Sequence, residues 1–176
     1  VKAQQPFDPV ERWLHEALWE CYLPLVAVLQ RLQRDAVVAP ITLSLSPPLA
    51  SMLRDDELRR RFEQHLVALA ELNQRASYDA RLRAHYAGCL ARAESTWHAC
   101  DGDVPGALAA LAAAGAIELI TTSASHALLP ALAAVDGIGP QLRIGRRAVA
   151  ASSAGVWLPE CGFNDRVGEA LVAGGC

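Results

Sequence analysis

The sequence lacks a long hydrophobic run and an excess of basic residues. No apolar stretch among its 176 residues reaches the roughly 18 residues that a membrane helix needs. The formal net charge is −3, and a general nucleic-acid surface would need a basic patch to neutralise phosphates. We therefore expect neither a membrane nor a nucleic-acid partner, and the sequence predicts no oligomeric state.

The cysteines also lack the number and spacing typical of disulfide frameworks or zinc sites. There are five of them, an odd number, and none forms a Cys-x-x-Cys pair, which favours reduced thiols over a disulfide framework or a zinc site. The first residues carry no signal-peptide pattern. Together these features predict a cytoplasmic protein. The chain starts with Val1 rather than Met, which leaves room for an upstream segment.

Several catalytic and cofactor motifs are missing. The sequence has no Gly-rich phosphate loop and no Gly-x-Ser-x-Gly elbow, which argues against nucleotide binding of that kind and against a serine hydrolase. Its five histidines include no His-x-His or His-x-x-x-His pair, so a locally built metal site is not expected. We predict no metal and no cofactor.

What the sequence does have is regular apolar spacing. Helical spacing covers Val10–Arg34, with a kink expected at Pro24 because proline lacks a backbone donor. An alternating stretch predicts a strand at Val37–Ser46. Helical spacing then fills Ala50–Ala99, with a break near Asn73–Ser77.

The second half alternates between short strands and helices. Strands are predicted at Ile117–Thr122 and Val156–Leu158, and helices at Leu128–Ala134, Gln141–Ser152 and Asp165–Ala173. Strands that alternate with helices are typical of a parallel sheet or a β/α barrel. The fold class predicted from this order is α/β, with a long helical segment in the first half.

Polar and aromatic residues follow the predicted strands. In parallel α/β folds, functional side chains lie at the carboxyl ends of strands, and here those ends are followed by His126, Trp157 and Glu160. If the strands are neighbours, the three residues should converge. Taken singly, Glu160 is also compatible with an ordinary loop or helix-capping glutamate, His126 with a buried histidine, and Trp157 and Trp13 with core positions.

Four segments in the same order resemble one enzyme family. Trp157–Phe163 resembles the nucleophile motif of glycoside hydrolase family 57, in its α-glucan branching enzyme branch. Glu11–Leu25 resembles the family's first long helix, Thr42–Leu53 its second strand and turn, and Gly115–Pro130 the motif with a substrate-binding histidine. The similarity therefore spans most of the chain.

The resemblance implies a fold and a chemistry. The fold is an incomplete barrel of seven strands, (β/α)7, with a long helical insertion. The activity is retaining chemistry on an α-glucan polysaccharide, with Glu160 as nucleophile, His126 as a sugar ligand, and Trp157 and Trp13 as apolar faces for sugar rings. Among the activities of the family, the resemblance most favours branching by a 1,4-α-glucan branching enzyme. An α-amylase, a 4-α-glucanotransferase and a non-catalytic glucan-binding relative stay open.

The sequence departs from the family pattern in two places. The family's first strand carries a His-x-His motif, but residues 1–10 contain no histidine. The family's acid/base Asp lies well beyond the nucleophile, and Asp165 is too near Glu160 in sequence to take that role. We therefore expect residues 1–176 to be a partial catalytic barrel without its first and C-terminal strands, and inactive alone.

Overall fold

The computed structural model describes residues 9–37 and 40–176, and the fold is α/β and mostly helical. Contacts divide the chain into two compact units. The first unit comprises the described part of Val1–Val28 together with Asp56–Val104, and the second comprises Leu29–Asp55 and Pro105–Cys176. Among the residues described, no helix is both long and apolar enough to cross a membrane.

The predicted first helix is confirmed, with one irregular turn. It consists of α1, a π-helical turn and α2, at Pro9–Ala17, Leu18–Tyr22 and Leu23–Arg34. Pro24 has no backbone N–H to donate to the preceding turn. The π turn directly precedes this proline, and the Leu23 N–H bonds five residues back to the carbonyl of Leu18. The disturbance predicted at Pro24 is therefore present as a π turn.

Two long helices carry the core of the first unit. These are α4 at Asp56–Arg75 and α5 at Ala80–Ala99, each of 20 residues. Phe62 on α4 is fully buried, and its ring packs edge-on against Trp97 of α5 with 4.8 Å between the centroids. The helical stretch predicted at Ala50–Ala99 is thus confirmed over most of its length. Its break lies at residues 76–79, and a second break, which was not predicted, lies at Asp55.

The second unit contains the sheet. Strands β1 (Thr42–Ser44) and β2 (Glu118–Ile120) are parallel, with Thr42 opposite Glu118 and Ser44 opposite Ile120. Past the sheet, 3-10 turns lie at Leu129–Val135 and Pro159–Cys161. The other helices are α3, α6, α7 and α8, at Pro47–Arg54, Val104–Ala113, Ile138–Val149 and Asp165–Ala173.

The structure corrects several predicted bounds. The strand expected at Val37–Ser46 is only the three residues of β1, and residues 38–39 of that prediction lie outside the described residues. The strand expected at Val156–Leu158 is a single parallel bridge between Val156 and Thr121. Pro40 and Pro47 flank β1, and Pro159 follows the bridge segment; a proline has no N–H to donate, so none of these positions can extend the ladder. The seven-strand barrel stays a prediction.

The helices of the second unit follow the prediction more closely. Helix α8 has the predicted bounds, and its N-cap Asn164 accepts a hydrogen bond from the Val167 N–H. The helix expected at Gln141–Ser152 begins earlier, at Ile138, and ends at Val149. The helix expected at Leu128–Ala134 is a 3-10 turn, whose first residues include Pro130.

Helix α7 lies directly against the chain that leaves β2. A Cβ placed on Gly145 would lie 2.3 Å from the carbonyl oxygen of Thr122, which no ordinary side chain tolerates. The hydroxyl of the fully buried Thr121 donates toward the Gly145 carbonyl at 3.1 Å. The glycine therefore allows a backbone-to-backbone contact that fixes the helix against the strand end.

A contact between the buried His15 and the half-buried His65 joins α1 to α4 in the first unit. The ring centroids of His15 and His65 are 5.1 Å apart. The pKa of His15 is lowered, chiefly because burial disfavours the charged imidazolium, although Glu11 opposes this. The pKa of His65 is lowered by burial and by the charge of His15. The fold therefore favours two neutral imidazoles at this contact.

We predict that the Gly145 contact is more sensitive to added volume than another glycine of α7. Gly145→Ala should lower the free energy of unfolding by about 1–3 kcal/mol, because the methyl group meets backbone that cannot move away cheaply. Gly139→Ala is the matched control, since its Cβ would meet only the flexible end of Arg143 at 3.2 Å. Urea unfolding should show the control unchanged or more stable; equal losses would contradict the prediction.

We also predict that acid destabilises the first unit through His15. The unfolded histidine takes up a proton near pH 6.5, whereas the folded one resists it until lower pH. Because the unfolded state binds more protons in that window, stability should fall as pH drops below about 6.5. His15→Leu should flatten the slope by up to about 1.4 kcal/mol per pH unit. The exposed His98→Leu variant is the control, and denaturant midpoints from pH 7.5 to 5 give the measurement.

Candidate active site

The candidate site begins where two neighbouring segments leave the sheet. Thr121, the residue after β2, forms a parallel bridge with Val156. The N–H of Trp157 donates to the carbonyl of Thr121 at 2.8 Å. The segments leading to His126 and to Glu160 therefore start side by side at the carboxyl end of the strands, the edge at which parallel α/β folds carry functional groups.

Glu160 is displayed by a tight turn. The turn is closed by hydrogen bonds from the Cys161 N–H to the Leu158 carbonyl and from the Gly162 N–H to the Pro159 carbonyl, both 3.0 Å. Glu160 and Cys161 both have left-handed backbone conformations, with φ of 55° and 53°, which cost free energy in residues with a side chain. Pro159 is buried, whereas the Glu160 side chain is 78% exposed. This turn therefore exposes the Glu160 carboxylate to solvent.

His126 is displayed by a second turn. Its N–H donates to the Ser123 carbonyl at 3.1 Å, and its φ is 56°. The Ser123 hydroxyl donates to the Ala127 carbonyl at 3.2 Å on the other side of the histidine. The imidazole is 46% exposed, so the interpretation of His126 as a buried core histidine is wrong.

The two side chains face each other. His126 Nε2 and Glu160 Oε1 are 4.0 Å apart, which is beyond a hydrogen bond but close enough for both groups to contact one small ligand group. An exposed carboxylate oxygen can attack an electrophilic carbon, and an imidazole nitrogen can donate to or accept from a hydroxyl. The pair therefore suits nucleophilic chemistry on a hydroxyl-rich substrate.

The two turns also pack directly on each other. A Cβ on Gly162 would lie 2.5 Å from Leu128 Cδ1 and 3.2 Å from Pro130 Cδ. The loop after His126 therefore reaches the Cα of a glycine just two residues past Glu160. A side chain at position 162 would force the Leu128 side chain to move, and we did not predict this contact from the sequence.

The predicted aromatic residues lie on the surface. Trp157 is 53% exposed and precedes the Glu160 turn, so its interpretation as a core residue is wrong. Trp13 is 71% exposed and lies on α1, in the first unit, so it is not a core residue either. The structure brings together His126, Trp157 and Glu160 on neighbouring segments, while Trp13 belongs to the other unit.

Beneath the site lies a buried polar stretch. Thr121, Thr122 and Ser123 are at most 1% exposed. The hydroxyl of Thr122 makes no hydrogen bond within the part of the chain that the structure describes. Across residues 9–37 and 40–176, histidine, cysteine and carboxylate side chains form no group of three that could hold a metal ion. All five cysteines are free.

Sequence reasoning missed Gln141, on the first turn of α7. Its side-chain oxygen accepts from both the N–H and the hydroxyl of Ser125, at 2.9 and 3.2 Å. Its backbone carbonyl accepts from the Ala124 N–H at 3.0 Å. A glutamine near the start of an amphipathic helix carries no sequence signal for such a role, because the contact is with a turn 16 residues away.

The family follows from comparison with known proteins. The family model described as Glycosyl hydrolase family 57 matches residues 1–176. The chain belongs to this family. It is similar to the 1,4-alpha-glucan branching enzyme TK1436 of Thermococcus kodakarensis, with 31% identity over 173 residues that cover 94% of this chain and 26% of that protein.

Solved structures of the family agree with this assignment. The TK1436 crystal structure in complex with glucose and additives matches with a TM-score of 0.78 and 30% identity, over 91% of this chain and 30% of that one. The GH57-type branching enzyme of Pyrococcus horikoshii has a TM-score of 0.74 at 29% identity, over 91% and 32%. The α-amylase AmyC of Thermotoga maritima shares the fold, with a TM-score of 0.83 at 23% identity over 98% and 35%.

This family 57 chain spans about a quarter of the length of the curated relative it matches. The matches to solved structures likewise cover 30–35% of those chains. The resemblance stated from the sequence motifs is thereby confirmed at the level of the family. The roles of His126, Trp157, Trp13 and Glu160 stay predictions.

We predict that the left-handed backbone at Cys161 is strained. At a φ of 53°, Cys161→Gly should be more stable than Cys161→Ala by about 1 kcal/mol, because glycine adopts this conformation without a Cβ clash. In the interior of helix α8, the same comparison at the exposed Glu169 should have the opposite sign, since glycine weakens a helix interior by about 1 kcal/mol relative to alanine. Denaturant unfolding of the four variants measures both differences, and the same sign at both positions would contradict the prediction.

Proposed function

We propose that this chain is part of the catalytic domain of a retaining α-glucan-acting enzyme, a 1,4-α-glucan branching enzyme. The observation that carries the proposal is the exposed Glu160 carboxylate, 4.0 Å from the His126 imidazole at the carboxyl end of parallel strands. It occurs in a family 57 chain that is 31% identical to a 1,4-alpha-glucan branching enzyme.

In the proposed reaction, Glu160 is the nucleophile. Its carboxylate oxygen bonds to C1 of a glucose unit while the glycosidic oxygen leaves with a proton from a second carboxylic acid. The 6-hydroxyl of another glucan then attacks C1, loses its proton to that second carboxylate, and releases Glu160. Two inversions at C1 retain its configuration, and the product is a 6-linked branch.

The second carboxylate must lie close to the first. Retaining enzymes place the two carboxyl groups about 5–5.5 Å apart, because the nucleophile touches the sugar carbon directly. We assign the acid/base to the part of the relatives' length that this chain does not span. The 176 residues alone should then lack turnover, since general acid–base assistance is worth about 10²–10⁴-fold.

The other site residues serve substrate binding in this proposal. His126 donates a hydrogen bond to a hydroxyl of the sugar held by Glu160. Trp157 and Trp13 offer exposed aromatic faces to sugar rings. The partner is an α-glucan polysaccharide of the glycogen or starch type, and the chemistry needs no cofactor.

We also propose a barrel fold and a cellular location for this enzyme. Residues 1–176 form part of an incomplete (β/α)7 barrel, with α4 and α5 as its helical insertion. The parallel β1–β2 pair and the bridge to Val156 support this, because barrel strands are parallel and adjacent. We place the enzyme in the cytoplasm, where reduced thiols persist.

The decisive experiment is a branching assay on the full-length gene product with amylose. We predict new 6-linked branches with the wild type and a loss of about 10³-fold or more with Glu160→Gln, because the amide cannot form the glycosyl intermediate. The fold should be unchanged, since the side chain is exposed. Branches are counted after debranching and chain-length analysis.

A matched variant separates the nucleophile from a general charge effect. Glu169 is an exposed carboxylate on α8, and Glu169→Gln should keep wild-type turnover. Wild-type turnover in Glu160→Gln would remove Glu160 from the nucleophile role. New reducing ends without branches would indicate the hydrolase, and glucan binding without turnover in the wild type would indicate the non-catalytic relative.

A further inference from the structure

The turn that carries His126 is hydrogen-bonded to helix α7 through Gln141. The turn runs from Ser123 to His126 and is closed by the His126 N–H donating to the Ser123 carbonyl. Both residues between them bond to Gln141. The Ala124 N–H donates to the backbone carbonyl of Gln141, and the Ser125 N–H and hydroxyl donate to the side-chain oxygen of Gln141.

The hydrogen bonds to Gln141 stabilise a turn whose backbone is strained at His126. His126 has a φ of 56°, a conformation that costs a residue with a side chain about 1–2 kcal/mol. The turn keeps it only if other contacts determine the geometry. The side-chain oxygen of Gln141 supplies two such contacts to the residue immediately before His126. Loss of that acceptor would leave an N–H donor without its partner and free the turn to relax.

The helix that carries Gln141 is itself fixed against the strand end. Gly145, one turn further along α7, lies against the Thr122 carbonyl. The buried face of α7 packs with Leu129 and Val167 through Ile138 and Leu142. Gln141 is therefore a rigid reference point, and the position of the imidazole relative to Glu160 depends on it.

We propose that Gln141 is a positioning residue that holds His126 at its distance from Glu160. The inference rests on the proposed function, in which His126 binds the reacting sugar. Gln141 does not touch the substrate and acts only through the 123–126 turn. A displacement of the imidazole by about 1 Å is enough to cost up to about 10²-fold in rate.

The test compares two substitutions in the full-length protein. Gln141→Leu keeps the approximate size but removes the acceptor, and kcat/KM for branching should fall by up to about 10²-fold. Gln141→Glu keeps an acceptor oxygen and should recover most of that loss. Ile144→Ala, at an exposed position of the same helix, should cost nothing. Equal losses for Leu and Glu at position 141, or no loss for Leu, would overturn the proposal.

A double-mutant cycle separates positioning from general stability. If Gln141 acts through His126, Gln141→Leu should cost almost nothing further in a His126→Ala background, whereas independent effects would add. Additive losses would overturn the proposal. The loss in Gln141→Leu should also be divided between kcat and KM in the same way as the loss in His126→Ala. A variant that only lowers the melting temperature would not reproduce that division.

A structural readout is independent of turnover. In a crystal structure of the Gln141→Leu protein, the distance from His126 Nε2 to Glu160 Oε1 should differ clearly from 4.0 Å, and Gln141→Glu should restore it. An unchanged distance in the Leu variant would overturn the proposal. If Glu160→Gln kept full turnover, the proposed function would fail, while this distance would still test Gln141.

Discussion

The parallel pairing at the carboxyl end of β2 determines where both halves of the candidate site begin. Thr121 bridges Val156, and the Trp157 N–H bonds to the Thr121 carbonyl. Parallel pairing leaves both chains at the same edge. Without this short ladder, the His126 and Glu160 turns, more than 30 residues apart in sequence, would have no shared origin. The ladder in turn depends on α7, which meets the backbone of Thr122 at Gly145.

A strand end fixes only the start of a loop, and the candidate site residues lie several residues beyond it. Three left-handed residues, His126, Glu160 and Cys161, carry the chain through these last steps. Such conformations persist where neighbouring contacts over-determine them. Here the contacts are turn hydrogen bonds, the approach of Leu128 to Gly162, and the bonds to Gln141. Local strain and long-range support thus occur together at the site.

The sequence predicted the elements whose signals are local. The bounds of α8 and the break between α4 and α5 follow from capping residues and apolar spacing, which are properties of short windows. The strands were overestimated, because a ladder needs a partner, and within residues 9–37 and 40–176 the pairing is limited to β1, β2 and one bridge. His126, Trp157 and Glu160 were predicted as a group from strand ends and motifs. Gln141 and the Leu128–Gly162 contact were missed, since they depend on packing between distant segments.

The same geometry bears on why family relatives with different activities share this fold. In a retaining mechanism, the first half-reaction needs only a nucleophile, a sugar ligand and an acid, whether the acceptor is later water or a glucan hydroxyl. Under the proposed function, Glu160 and His126 serve that common half-reaction. The choice between branching and hydrolysis is then made by the groups that admit the acceptor after the first product leaves. A fold match with both an α-amylase and branching enzymes is therefore expected for the part of the chain that holds the proposed nucleophile.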